Sequence, residues 1–110
     1  MFNYFSINML KYPMIYNSLY EIKEKNDHSA TVLLTNKSHP VFKAHFPIKP
    51  VLPGFIHFEI VADIFNIEIK KIKKAKFMKV VLPKETLVYE KDKNKFKVFS
   101  KGELVASFNL

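Results

Sequence analysis

The sequence predicts an α+β fold: one domain in which a curved antiparallel sheet wraps a single buried central helix at about residues 53-66. Three observations predict it. Segments with period-two alternation stand on both sides of the chain's middle. Between them, Gly54 to Phe65 is apolar nearly all round, broken only by His57, Glu59 and Asp63, and such a helix needs cover on several sides. At 110 residues the chain holds one core, so residues 1–110 form a single domain with too little material for helices on both faces of a sheet.

The elements follow in order. The first eighteen residues are apolar but irregular, interrupted by Asn3, Asn8, Pro13 and Asn17, and suit a short helix or an edge segment. They lack a basic n-region and a clean apolar stretch, so no signal peptide is expected. From Leu19 to Lys25 the residues alternate, Asn26-Asp27-His28 supplies turn chemistry, and Ser29 to Thr35 resumes with Ala30, Val32 and Leu34 on one face. That reads as a β-hairpin. Residues 36 to 53 read as one long loop whose Val41, Phe42, Phe46 and Leu52 argue against disorder. Pro53-Gly54 opens the helix, proline being tolerated at a first helical position. A strand from Ile67 to Val81 follows, with a phase slip (Ile67 and Ile69 odd, Ile72 even, Ala75 and Phe77 odd) that predicts a bulge or two segments. Turns at Pro83-Lys84-Glu85, Asp92-Lys93-Asn94 and Lys101-Gly102-Glu103 separate the last three strands.

Composition excludes several functions. With no cysteine there is no disulfide framework, thiolate nucleophile or sulfur-built zinc site. No run approaches the eighteen apolar residues of a membrane span, and a reducing, cytoplasmic setting is the default. The net charge of +8 comes from 18 lysines and no arginine. Arginine is the usual reader of guanine edges and bidentate phosphates, so nucleic acid is disfavoured as a partner. Solvated surface or a patch for an acidic partner accounts for the lysines, concentrated from Lys70 to Lys79.

The segment from His45 to Glu59 holds three of the six prolines, one of the two glycines, two histidines and a glutamate. Its prolines fix φ and remove donors, so His45 to Pro53 is expected to be a stiff, extended loop presenting a histidine ahead of the helix.

His45-Phe46-Pro47, then Pro50-Val51, Pro53-Gly54 and Glu59, resembles the hot-dog-fold 3-hydroxyacyl-acyl carrier protein dehydratases, including their short aryl-polyene-type members. In that family a histidine heads the turn and an acidic residue follows fourteen positions later on the central helix, the spacing of His45 and Glu59. Lys76 to Pro83 resembles the family's strand ending in a proline turn, and Gly102 to Ala106 its closing strand. The sequence departs at Ala44, where glycine is usual, at Asp63, often an amide, and at Lys84, where the turn normally has glycine. The resemblance implies a hot-dog domain, dehydration of a thioester carried by an acidic acyl carrier protein, no metal or organic cofactor, and a homodimer in which His45 of one subunit meets Glu59 of the other.

The residues suit that chemistry. Neutral imidazole at His45 fits a base for the C2 proton. Glu59, with helical neighbours Phe55, Ile56 and Ala62, fits an acid kept protonated by burial, and Asp63 one turn on is a candidate modulator acting in the same direction. Gly54 at the helix N-terminus offers a backbone donor for charge on the thioester oxygen. Histidine performing both transfers, with glutamate orienting water or the hydroxyl, is the alternative division of roles. His28 and His39 read as structural, and His57, about 200° around the helix from Glu59, as a packing or surface residue. A hot-dog thioesterase and a non-catalytic acyl-binding protein are the competing functions.

Overall fold

Period-two alternation produces strands where apolar residues can share one side of a sheet. In the computed structural model, which describes residues 18–45 and 49–110 with the side chains of Ala44 and His45 excepted, six strands form one antiparallel sheet. These are β1 Tyr20–Lys25, β2 Ser29–Leu34, β3 Lys73–Phe77, β4 Thr86–Asp92, β5 Lys95–Ser100 and β6 Glu103–Asn109. Their order across the sheet is β1-β2-β4-β5-β6-β3. The expected hairpin is β1-β2, closed by an Asn26 side chain that accepts from the N–H groups of His28 and Ser29 at 2.7 and 2.9 Å. Ala30, Val32 and Leu34 of β2, Leu87 and Tyr89 of β4, and Phe96 and Val98 of β5 point inward, all buried. In β6, consecutive Val105 and Ala106 are both buried because the register against β5 shifts between Val98 and Phe99.

Among the described residues, two helices complete the fold. Helix α2, Ile56–Phe65, packs its apolar girth against the sheet: eight of its residues are buried, from Ile56 to Ala62 and Ile64. It starts three residues later than Pro53. Its entry is a tight turn in which Ile56, His57 and Phe58 donate to the carbonyls of Pro53, Gly54 and Phe55 at 3.0, 3.1 and 3.1 Å. It ends at Asn66, which adopts φ 54°, ψ 53°, and the Ile67 N–H returns to the Ala62 carbonyl at 3.0 Å.

The loop expected over residues 36 to 53 is corrected in part: it contains helix α1, Pro40–His45. Pro40 stands at the first helical position, where a missing N–H costs nothing. The ring of buried His39 caps the helix, its Nδ1 accepting from the Val41 N–H at 3.1 Å, as a structural histidine should. His45 is therefore the last residue of a helix, not the first of an extended loop. The motif residues Phe46, Pro47 and Ile48, and the irregular segment 1–17, lie outside the described residues.

The strand expected from Ile67 to Val81 is also shorter, Lys73–Phe77. Ile69 and Val81 are buried and Ile67 and Ile72 pack on the core without joining the ladder, so their hydrophobicity reports burial rather than pairing. The predicted slip is real: the register against β6 shifts between Lys73 and Lys76, and Lys74 takes φ 54°. β3 is a sheet edge, with Lys73, Lys74 and Lys76 exposed along it.

Candidate active site

α2 carries three polar side chains, and the fold treats each differently. Glu59 is 2% exposed, on a helix whose neighbouring Ile56 and Ala62 are buried, matching the expected apolar setting. Its expected counterpart, the His45 side chain, lies outside the described residues.

His57 is buried at 3% exposure and is a core residue rather than a surface one. Its Nδ1 lies 2.8 Å from the hydroxyl of Tyr89 on β4, and its ring stacks on Phe77 at 6.4 Å between centroids. Burial lowers its pKa from 6.5 to about 4, so the ring is neutral near pH 7. Burial likewise pushes the Tyr89 phenol well above its ordinary range, helped by nearby Tyr20.

Asp63 is exposed. Its carboxylate accepts the hydroxyl of Tyr20 on β1, linking the helix to the outer hairpin. Burial first, then that hydrogen bond and the Asp63 charge, hold the Tyr20 phenol far above its usual pKa. The contact the structure assigns Asp63 is thus to Tyr20.

Gly54 sits in the turn entering α2, and among the described residues its N–H has no backbone acceptor. A β-carbon here would stand 3.1 Å from two ring atoms of Phe77, so glycine admits the close approach of that ring. Gly54, His57, Phe77 and Met78 line a pocket of about 370 Å³ with Leu52, Phe55 and Val81. No helix among the described residues is long and apolar enough to cross a membrane, and none of their acidic or histidine side chains cluster as a metal site.

The family model for ApeI dehydratase, the ApeI-like family, matches residues 21–109. The chain belongs to the ApeI-like dehydratase family. The ApeI:P dehydratase heterocomplex of Xenorhabdus doucetiae contains a chain similar to it, at TM-score 0.61 and 20% identity over 80% of this chain and 89% of that one. TT0310 of Thermus thermophilus is similar at TM-score 0.55 and 11% identity, over 87% and 92% of the two chains. The E. coli PaaI protein from the phenylacetic acid degradation operon reaches TM-score 0.55 and 14% identity, over 96% and 90%. At such identities these structures show the hot-dog fold. No curated protein sequence matches the chain.

Within this ApeI-like frame, sequence reasoning missed Tyr89, Tyr20 and Phe77. Tyr89 had a signal, a phenol on the inward face of a strand, because a buried hydroxyl requires a partner. Tyr20 and Phe77 act across elements distant in sequence and had none.

Proposed function

We propose that this protein eliminates water from a 3-hydroxyacyl thioester carried by an acyl carrier protein, giving the trans-2-enoyl thioester. The carrying observation is a carboxyl group, Glu59, enclosed at 2% exposure on the central helix of an ApeI-like dehydratase chain. Burying a carboxyl group is costly, and an elimination needs a proton donor shielded from water.

His45 removes a proton from C2, electrons move toward the thioester oxygen, and the Gly54 N–H stabilises that charge. The C2–C3 double bond then forms as the C3 hydroxyl leaves, protonated by Glu59, as water. No metal or organic cofactor enters this balance. His45 and Glu59 come from different subunits of a dimer. Support for a dimer comes from an exposed apolar strip on and after β3, with Phe77, Met78, Val80 and Leu82 at 49, 44, 65 and 39% exposure beside the sheet edge. The relative from Xenorhabdus doucetiae is described as a heterocomplex, so a different partner chain is the second reading of this edge. Lys70, Lys71, Lys73, Lys74 and Lys76, all exposed, supply a basic surface for an acidic carrier.

The test offers purified protein 3-hydroxyacyl thioesters on carrier protein and on coenzyme A, following enoyl product and free thiol together. Enoyl formation without thiol supports the proposal; thiol release indicates a thioesterase; neither, with acyl binding retained, indicates a binding protein. Light scattering of the chain alone separates a homodimer from a subunit awaiting a different partner.

A further inference from the structure

The histidine that sequence reasoning set aside has the more completely built environment. Tyr89 is 0% exposed, and among the described residues the His57 ring is the one hydrogen-bond partner of its hydroxyl. A buried phenolic proton needs an acceptor, and Nδ1 can accept only if it carries no proton itself. A neutral imidazole whose Nδ1 accepts must carry its proton on Nε2. Tyr89 therefore selects the tautomer.

His57 and the Phe77 on which its ring stacks both line the pocket at the entry of α2. Its Nδ1 is taken by Tyr89, one of its faces by Phe77, and no group among the described residues pairs with Nε2. The backbone draws it toward Gly54, whose carbonyl accepts from the His57 N–H at 3.1 Å. Two N–H donors, from the Gly54 backbone and the His57 ring, thus belong to one pocket whose other lining residues are Leu52, Phe55, Phe77, Met78, Val80, Val81 and Lys79, the last paired with Glu103 at 2.9 Å. A hydroxyl there would also seek an acceptor, whereas a carbonyl oxygen only accepts, and its second lone pair is available to a second donor.

We propose that His57, oriented by Tyr89, donates an Nε2–H hydrogen bond to the carbonyl oxygen of the acyl thioester bound beside Gly54. The inference rests on the thioester reading above and adds a substrate-binding residue, His57, and a positioning residue, Tyr89. Two converging donors hold a developing negative oxygen better than one, and a donor fixed by its neighbour needs no reorganisation as charge forms.

The test follows the His57 ring by heteronuclear NMR in the full-length protein carrying isotopically labelled histidine. The expected tautomer is Nε2–H, lost or mixed in Tyr89→Phe. The probe is the octanoyl amide analogue of pantetheine, which keeps the carbonyl, against S-octyl pantetheine, which lacks it. The Nε2–H resonance should move with the first and not the second, while Phe77 ring resonances report that both occupy the pocket. An Nδ1–H tautomer, equal response to both probes, or occupancy or exclusion without any Nε2–H response overturns the proposal. In turnover, His57→Phe should lower kcat about 10²-fold with a smaller change in KM, and His57→Gln, which keeps an N–H donor, should recover part of it. A carbonyl-dependent shift in a wild-type protein that forms no enoyl product removes the dehydratase reading and leaves this one standing. Enoyl formation with a silent Nε2–H does the reverse.

Discussion

Glu59 and Asp63 are two carboxylates one helical turn apart on α2, yet one is 2% exposed and the other lies at the surface. Spacing alone would give them similar surroundings, since residues at i and i+4 share a face. The difference comes from what covers each: Glu59 is enclosed, whereas Asp63 emerges where β1 supplies the Tyr20 hydroxyl. An enclosed carboxyl group is suited to proton transfer, and one that accepts a phenol at the rim is suited to tying two elements together.

The largest expected effect separates the two chemically. Glu59→Gln keeps the shape and removes the titratable proton, so enoyl formation should fall by about 10²–10⁴-fold, while Asp63→Asn should leave it within a few-fold. His45→Ala should match Glu59→Gln. Steady-state turnover on a 3-hydroxyacyl thioester checks all three, and equal losses from Glu59→Gln and Asp63→Asn would break the comparison.

Next comes pH, where the opposite side of the helix speaks. His57 has its folded pKa lowered from 6.5 to about 4, so between these values the unfolded chain binds the proton and the folded chain does not. Stability is therefore complete above pH 6.5 and falls as pH drops toward 4, by up to about 3 kcal/mol from this group. Urea unfolding across that window should show the slope in wild type and lose it in His57→Phe. An unchanged slope would mean that a different group titrates there.

The smallest effect tests the rim. Tyr20→Phe and Asp63→Asn should each cost about 1 kcal/mol, an ordinary value for a partly exposed hydrogen bond to a charged group. The double variant should cost little more than either alone. Additive losses would show that Tyr20 and Asp63 act separately. Gly54→Ala sharpens the same contrast at the helix entry: its β-carbon needs the Phe77 ring to give way by a few tenths of an ångström. Thermal stability should change little, while binding of acyl pantetheine probes beside Gly54 should weaken.

What could be read in advance follows physical range. The hairpin, the inward face of β2, the slip in β3 and the all-round apolar helix were legible because each depends on neighbours within a few positions. Helix α1 was not, because three downstream prolines outweighed Pro40, and proline ends one helix by the chemistry that begins another. Glu59 was legible as a buried acid from its helical neighbours, and the resemblance named it with His45 and Gly54 as candidates.

By itself, then, the sequence determined that one helix would be enclosed, that it would carry a glutamate among apolar residues, and that a glycine would stand at its entry. Periodicity and steric limits on the backbone are local and leave a pattern in the letters. Only the tertiary structure decided which groups His57 and Asp63 on that helix would meet. His57 became a neutral, oriented ring because Tyr89 lies opposite it across the core, 32 residues away. Asp63 became a tether because Tyr20 reaches it from β1, 43 residues away. A side chain's protonation and hydrogen bonding depend on the groups facing it, and those are chosen by how the sheet closes.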